Sequence, residues 1–460
     1  VTSQRIGPLS GYPEFLPAGR IVEQHVLDTV RHTFELHGFA SIQTRAVEPL
    51  DVLLRKGEID KEVYVVRRLQ AADDGSGDAE PSADALALHF DLTVPFARYV
   101  LEHAGHLTFP FRRYQIQPAW RGERPQEGRY REFVQADIDV VDRDSLATHH
   151  DVEVVAAMAD VFARLPLPAM TMQVSSRKVI DGFCRGLGLA EQTGGVLRAL
   201  DKLDKLSAAA VAEQVAAVGL SAGQVDAVLQ LAAVRTSDPA ALHATVAGLG
   251  VRHELLDEGL GEVTTVLAGV AHLVGERLHV VADLSIARGL DYYTGTVVET
   301  RMAGFESLGS ICSGGRYEAL ASDGRTTYPG MGLSFGVTRT LAPLIGKGML
   351  VASRPTPTVV AVAVADEASR PASTAVADAL RARGVATEVV AAAQRYGKQI
   401  RSAQRRGIPF VWFPPAATES GEHEVRDIRS GEQVPADPAA WLPPASDRQP
   451  TVVARGGHDG

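Results

Sequence analysis

The chain has 460 residues, 45% of them hydrophobic and 22% charged, which calls for two or three domains of ordinary globular character. No uninterrupted apolar run is long enough to cross a bilayer, the opening VTSQRIGPLSGY lacks the pattern of a secretion signal, and the two distant cysteines make no disulfide framework or metal cluster, so a cytoplasmic setting is expected. The formal net charge of −10 lowers the expectation of a nucleic-acid partner without excluding one, because a polyanion needs only a local basic surface.

Residues 20–38, RIVEQHVLDTVRHTFELHG, space Ile21, Val22, Val26, Val30 and Phe34 as the buried stripe of an amphipathic helix ending near Gly38. Residues 71–85 are small, acidic and turn-rich and read as a solvated insertion between two strands. A strand-rich block is expected from about Leu86 to Val141, then a helix near 148–164.

Inside that block, AWRGERPQEGRYREFVQADID (119–139) has two strand-like stretches around the turn-forming RPQEG, which predicts a hairpin. Alternation puts Arg121 and Glu123 on one face, and Phe133, Gln135 and Asp139 on one face. Such a surface offers a guanidinium that matches phosphate and an aromatic plane that can stack on a purine. Taken alone, the pattern also fits an exposed hairpin with ordinary ion pairs.

From Ser176 to Glu276 the pattern is almost wholly helical, and strand and turn signals return at about 278–340: a helical insertion within an α+β domain. Cys312 reads as a small buried hydrophobe, and Tyr292 and Tyr293, by themselves, as core aromatics. Residues 351–357, VASRPTP, read as a linker, and VVAVAVA after it opens a small α/β domain. The segment RYGKQIRSAQRRGIPFVWF (395–413) concentrates Arg395, Lys398, Arg401, Arg405 and Arg406, with Arg401 and Arg405 one helical turn apart. That is either a solvated face or a surface for phosphates. The Pro- and Gly-bearing end, 443–460, is expected to be disordered.

Several segments together carry a family resemblance. Arg121-x-Glu123, a loop and Arg129-x-x-x-Phe133 resemble motif 2 of class II aminoacyl-tRNA synthetases, and GMGLSFGVTRTLAPL from Gly330 resembles motif 3, with Thr338 where glutamate commonly stands. The segments ARGLDYYTGTVVE (287–299) and SICSGGRYEAL (310–320) resemble two signatures specific to histidyl-tRNA synthetases. LHFDLTVPFARY (88–99) resembles that family's amino-acid-binding element, and the N-terminal helix and strand resemble motif 1. On these grounds the chain is identified as a member of the histidyl-tRNA synthetase family.

The resemblance implies an α+β fold: a class II antiparallel sheet flanked by helices, a helical insertion and a C-terminal α/β anticodon-binding domain. The implied boundaries are 1–175 and 277–350 for the catalytic domain, 176–276 for the insertion and 351–442 for the anticodon-binding domain. It implies that Arg121 and Arg288 act at the α-phosphate of ATP, that Glu123 reads the adenine, that Phe133 stacks on it, and that Arg339 lies over the ATP tail. Asp91, Thr93 and Gln135 would hold the histidine ammonium group, with Asp139, Arg288, Tyr292, Tyr293 and Tyr317 around the rest of the amino acid. Further implications are ATP with Mg2+ as substrate, no permanently bound metal or prosthetic group, a homodimer with no membrane association, and tRNA(His) meeting Arg395, Lys398, Arg401 and Arg405. The competing expectation is a catalytically silent, synthetase-like regulatory subunit of histidine biosynthesis. The presence of Arg121, Arg288, Arg339 and a C-terminal domain speaks against it.

Overall fold

The computed structural model describes residues 7–54, 62–68, 85–203, 205–286, 293–418 and 420–455. The acidic insertion falls outside them except for its last residue, and so do Arg288 and Tyr292. The chain divides into two compact units, Val1–Pro13 with Leu27–Pro343, and Glu14–Val26 with Leu344–Gly460. The first long helix, Pro17–Leu36, buries Val22, Val26, Val30 and Phe34 completely. Gly38, at φ 79°, lets the chain leave it in a conformation that side chains resist.

In the first unit the described residues build a nine-stranded, largely antiparallel sheet. Its spatial order is Ala40–Ser41, Phe111–Trp120, Glu132–Val141, Thr327–Gly336, Cys312–Ser322, Thr296–Met302, Met170–Ser176, Leu278–Asp283 and Arg235–Thr236. The expected hairpin supplies its second and third strands: Arg113 pairs with Asp139, Gln115 with Asp137 and Gln117 with Gln135. On the other side of that strand, Gly332 pairs with Asp139, Ser334 with Asp137 and Gly336 with Gln135. Because side chains alternate, these residues share one face, while buried Tyr114, Ala136, Ile138 and Val140 fill the other. The helix His149–Arg164 buries Val154, Val155, Met158 and Phe162, the last set edge-on to Phe335 at 5.2 Å.

The strand-rich reading of 86–141 needs one correction. Thr93–His103 is a helix whose Val94 amide donates to Asp91 Oδ1 at 3.0 Å. Pro95 in its first turn gives up no helical bond, since the amides there have no intrahelical partner. Phe96 and Val100 then pack with Val141, Tyr317 and Tyr328. Between Met170–Ser176 and Leu278–Asp283 the chain is mainly helical, from Arg177–Gly186 to Glu254–Val270. Those two helices meet backbone to backbone: a Cβ at Gly182 would lie 2.2 Å from the Leu256 amide nitrogen.

The second unit holds a five-stranded sheet ordered Thr387–Val389, Val360–Val362, Phe410–Phe413, Glu424–Asp427 and Gln433–Pro435, the first three parallel and the rest antiparallel. Trp412, Val360, Val362 and Leu380 are at its core. Two expectations fail here. The 351–357 segment is no free linker, because Leu350–Ala352 forms a strand against Val452–Ala454. Residues 443–455 are correspondingly ordered, and 456–460 lie outside the described residues. Arg354 is buried and donates to the carbonyls of Thr356 and Asp447, and Arg429 pairs with the Asp447 carboxylate at 2.8 Å. The prolines and glycines flank a short β-branched run, Thr451-Val452-Val453, that suffices for an edge strand.

Candidate active site

The first unit encloses a cavity of about 260 Å³ whose walls come from well-separated segments: Asp91 and Thr93; Arg121, Glu123, Phe133 and Gln135; Tyr293; and Ser334 and Arg339. Eight residues expected at the site from sequence therefore face one space. Asp139 and Tyr317 are not among its lining residues; they are joined to each other by a hydrogen bond from the Tyr317 hydroxyl to Asp139 Oδ1 at 2.9 Å.

Arg121 leaves the hairpin strand with its Nε donating to the Phe90 carbonyl at 3.0 Å and its Cζ 5.0 Å from the centre of the Phe133 ring. It has no carboxylate partner among the described residues, so a full positive charge is presented beside an aromatic face. Glu123 meets Arg129 at 3.3 Å. Arg339 is braced by two backbone carbonyls, of Gly128 and Ser310, each at 2.8 Å. Gly128 has φ 78°, and a Cβ there would lie 2.6 Å from Leu308 Cδ2, so the hairpin loop needs glycine to reach Arg339.

Carboxylates gather at this cavity, Asp91 in its lining and Asp137 and Asp139 close by. Asp139 is nearly buried and forms an ion pair with Arg113, Oδ2 to Nη2 at 2.7 Å. Gln135 donates to Ser334 Oγ at 2.6 Å, and its buried Oε1 has no partner among the described residues. Burial raises the Tyr293 phenol above its ordinary range, and the charges of Asp139, Asp137 and Asp91 push the same way, so it remains a neutral donor. Burial likewise raises the Cys312 thiol, with the Asp137 charge adding to it, and leaves no thiolate for nucleophilic chemistry. Among the described residues no group of three or more His, Cys, Asp or Glu side chains could hold a metal ion.

Asp137, Arg113, Gln115, Gln117 and Ser334 escaped the sequence reading. Burial pushes the Asp137 carboxyl up to about 7, against the opposing pull of Arg113 and a hydrogen bond from Ser334. The signal for Asp137 was present, since it lies midway between Gln135 and Asp139 on the same alternating face. Arg113, Gln115 and Gln117 also alternate, but only strand pairing brings them to Asp139.

In the second unit, Lys398, Arg401 and Arg405 lie on the helix Tyr396–Arg405, and Arg395 caps it. All four are exposed, Lys398, Arg401 and Arg405 on the side away from buried Gln399 and Ala403, and they have no carboxylate partner among the described residues. Neighbouring Arg406, by contrast, pairs with Glu388. No helix among the described residues is long and apolar enough to cross a membrane.

Comparison with known proteins accounts for most of the chain. Residues 11–340 match the family model for histidyl-tRNA synthetase, and 358–440 match that for an anticodon binding domain. The histidine–tRNA ligase of Cutibacterium acnes is 54% identical over 456 residues, covering 98% of this chain and 99% of the relative. That of Micrococcus luteus is 55% identical with the same coverage. The crystal structure of histidyl-tRNA synthetase from Nostoc sp. PCC 7120 superposes with a TM-score of 0.80 at 34% identity, covering 94% of this chain and 97% of that one.

Proposed function

The chain belongs to the histidyl-tRNA synthetase family, and we propose the division of labour by which it joins histidine to tRNA. In the first step the histidine carboxylate attacks the α-phosphorus of Mg2+-bound ATP, and pyrophosphate leaves. In the second, the 3′-hydroxyl of the terminal tRNA adenosine attacks the activated carbonyl and AMP leaves. Neither step needs a protein nucleophile. Both need reactants held in line and fixed positive charge where negative charge builds.

Arg121 and Arg288 supply that charge at the α-phosphate, Phe133 stacks on the adenine, Glu123 accepts from its amino group, and Arg339 holds the ATP tail. Asp91, Thr93 and Gln135 receive the ammonium group. Asp139 and Tyr317, with Tyr292 and Tyr293, form the imidazole end, and Arg288 spans both substrates. The unpartnered Gln135 Oε1 supports the ammonium role, because a buried acceptor without a donor favours a cationic one. Mg2+ arrives with ATP. The exposed stripe Arg395, Lys398, Arg401 and Arg405 supplies phosphate attraction for the tRNA, reconciling a basic surface with a net acidic chain. The protein acts as a cytoplasmic homodimer through its motif 1 segment.

The observation that carries this reading is Arg121, uncompensated and set over Phe133, in one cavity with Arg339 and the carboxylate-rich pocket. ATP–pyrophosphate exchange with each of the twenty amino acids tests it. Exchange with histidine alone, largely lost in Arg288→Ala, is the expected result. A folded protein inert with all twenty would instead favour the regulatory-subunit reading.

A further inference from the structure

Arg113 is fully buried in the first unit, its Cζ 3.9 Å from the centre of the Phe96 ring. A guanidinium so placed is costly unless its charge and donors are met. One side of it is ion-paired with Asp139, Nη2 to Oδ2 at 2.7 Å, which meets its charge, while neither Nη2 nor Nε makes an aligned hydrogen bond among the described residues. On the other, Nη1 donates to Gln115 Oε1 at 3.3 Å, Gln115 Nε2 donates to Gln117 Oε1 at 2.7 Å and to Thr44 Oγ1 at 2.8 Å, and Gln117 Nε2 donates to the Thr44 carbonyl at 2.8 Å. The direction of this relay is forced at both ends, since a backbone carbonyl only accepts and a guanidinium only donates. Neither glutamine can turn its amide over without placing two donors or two acceptors face to face.

The relay ends on a carboxylate that is gripped elsewhere too. Tyr317 donates to Asp139 Oδ1 at 2.9 Å, and a Cβ at Gly332 would lie 1.9 Å from that same oxygen. Asp139 therefore sits between a cation, a phenol and bare backbone, with little freedom to turn.

We propose that Arg113 is a positioning residue for amino-acid selection: with Gln115 and Gln117 behind it, it clamps Asp139 so that the carboxylate meets the histidine imidazole in one orientation. This rests on the reading of Asp139 as an imidazole contact. Polar recognition discriminates strongly only when the acceptor cannot follow a wrong ligand, and the relay supplies that rigidity without touching either substrate.

The test is ATP–pyrophosphate exchange by Arg113→Met, Arg113→Lys, Gln115→Met, Asp139→Asn and the double variant Arg113→Met/Asp139→Asn. KM for histidine and for ATP are read separately, and folding is followed by thermal melting. Arg113→Met should raise the histidine KM by about tenfold or more and the ATP KM by less than about twofold, with Lys restoring part of the loss. The double variant should be no worse than Asp139→Asn alone, because the two residues act as one unit. If Arg113→Met does not fold, Gln115→Met keeps the ion pair, releases the guanidinium and should raise the histidine KM roughly threefold. Parallel rises in both KM values, multiplicative losses in the double variant, or unchanged histidine KM in Arg113→Lys and Gln115→Met would overturn the clamp. An unchanged histidine KM in Asp139→Asn would remove the underlying reading and the clamp with it.

Discussion

The Thr338 hydroxyl accepts a hydrogen bond from the Val134 amide at 2.8 Å. Strand pairing with Thr327–Gly336 ends at Gln135 opposite Gly336, so this side chain continues the ladder one step beyond its backbone end. Val134 lies between Phe133 and Gln135, and Thr338 precedes Arg339. One bond thus ties three cavity residues into a single frame, in the position where the family commonly has glutamate.

Thr338→Val keeps the shape and leaves the Val134 amide unpaired, which costs about 1–3 kcal/mol. The expected phenotype is a rise in the ATP KM and a fall in kcat, with Thr338→Ser close to wild type. Steady-state pyrophosphate exchange reads both. A Val variant with unaltered ATP kinetics would show that the frame is held by other contacts.

The second prediction concerns the end of the chain. Deleting 443–460 removes the strand Val452–Ala454 and the Asp447 carboxylate, exposing the edge of Leu350–Ala352 and freeing Arg429 from one of its two partners. Loss of roughly 1–2 kcal/mol corresponds to several degrees in the melting of a unit of this size. Calorimetry should show the transition of the second unit shifting down while histidine-dependent exchange persists.

What could be read in advance divides along a physical line. The Arg121–Phe133 hairpin was legible because its alternation and turn residues are local properties. Thr93–His103 was missed because Thr93, Val94 and Phe96 are strand-favouring types, while the helix draws its stability from burying Phe96 and Val100. The tail was missed because composition does not reveal that Leu350–Ala352 offers it an edge. Arg113 was invisible for a related reason: its meaning lies in pairing with Asp139, and register is a property of two strands.

Third, the basic stripe should act on tRNA alone. Changing Arg395, Lys398, Arg401 and Arg405 together to glutamine removes four exposed cations. If each meets one phosphate, the slope of log affinity against log salt should fall in magnitude by about 3. Binding should weaken most at low salt, and pyrophosphate exchange, which needs no tRNA, should be unaffected. An unchanged salt slope would assign tRNA binding to another surface.

The last prediction follows from Asp137. Its carboxyl is raised from an ordinary 3.8 to about 7 by burial, with Asp139 and Asp91 adding to the rise and Arg113 and Ser334 opposing it. A native value above the unfolded one means that the native state holds the proton more tightly. The contribution to stability is therefore complete below about pH 3.8 and is lost progressively as pH rises through 7. Asp137→Asn, which has no charge to bury, should be more stable than wild type at pH 8 by an amount on the order of a few kcal/mol. That advantage should shrink as pH falls below 7 and vanish near pH 4, as read by denaturant unfolding at each pH. A constant difference across the range would mean that the carboxylate is stabilised by its neighbours as fully in the fold as it is in water.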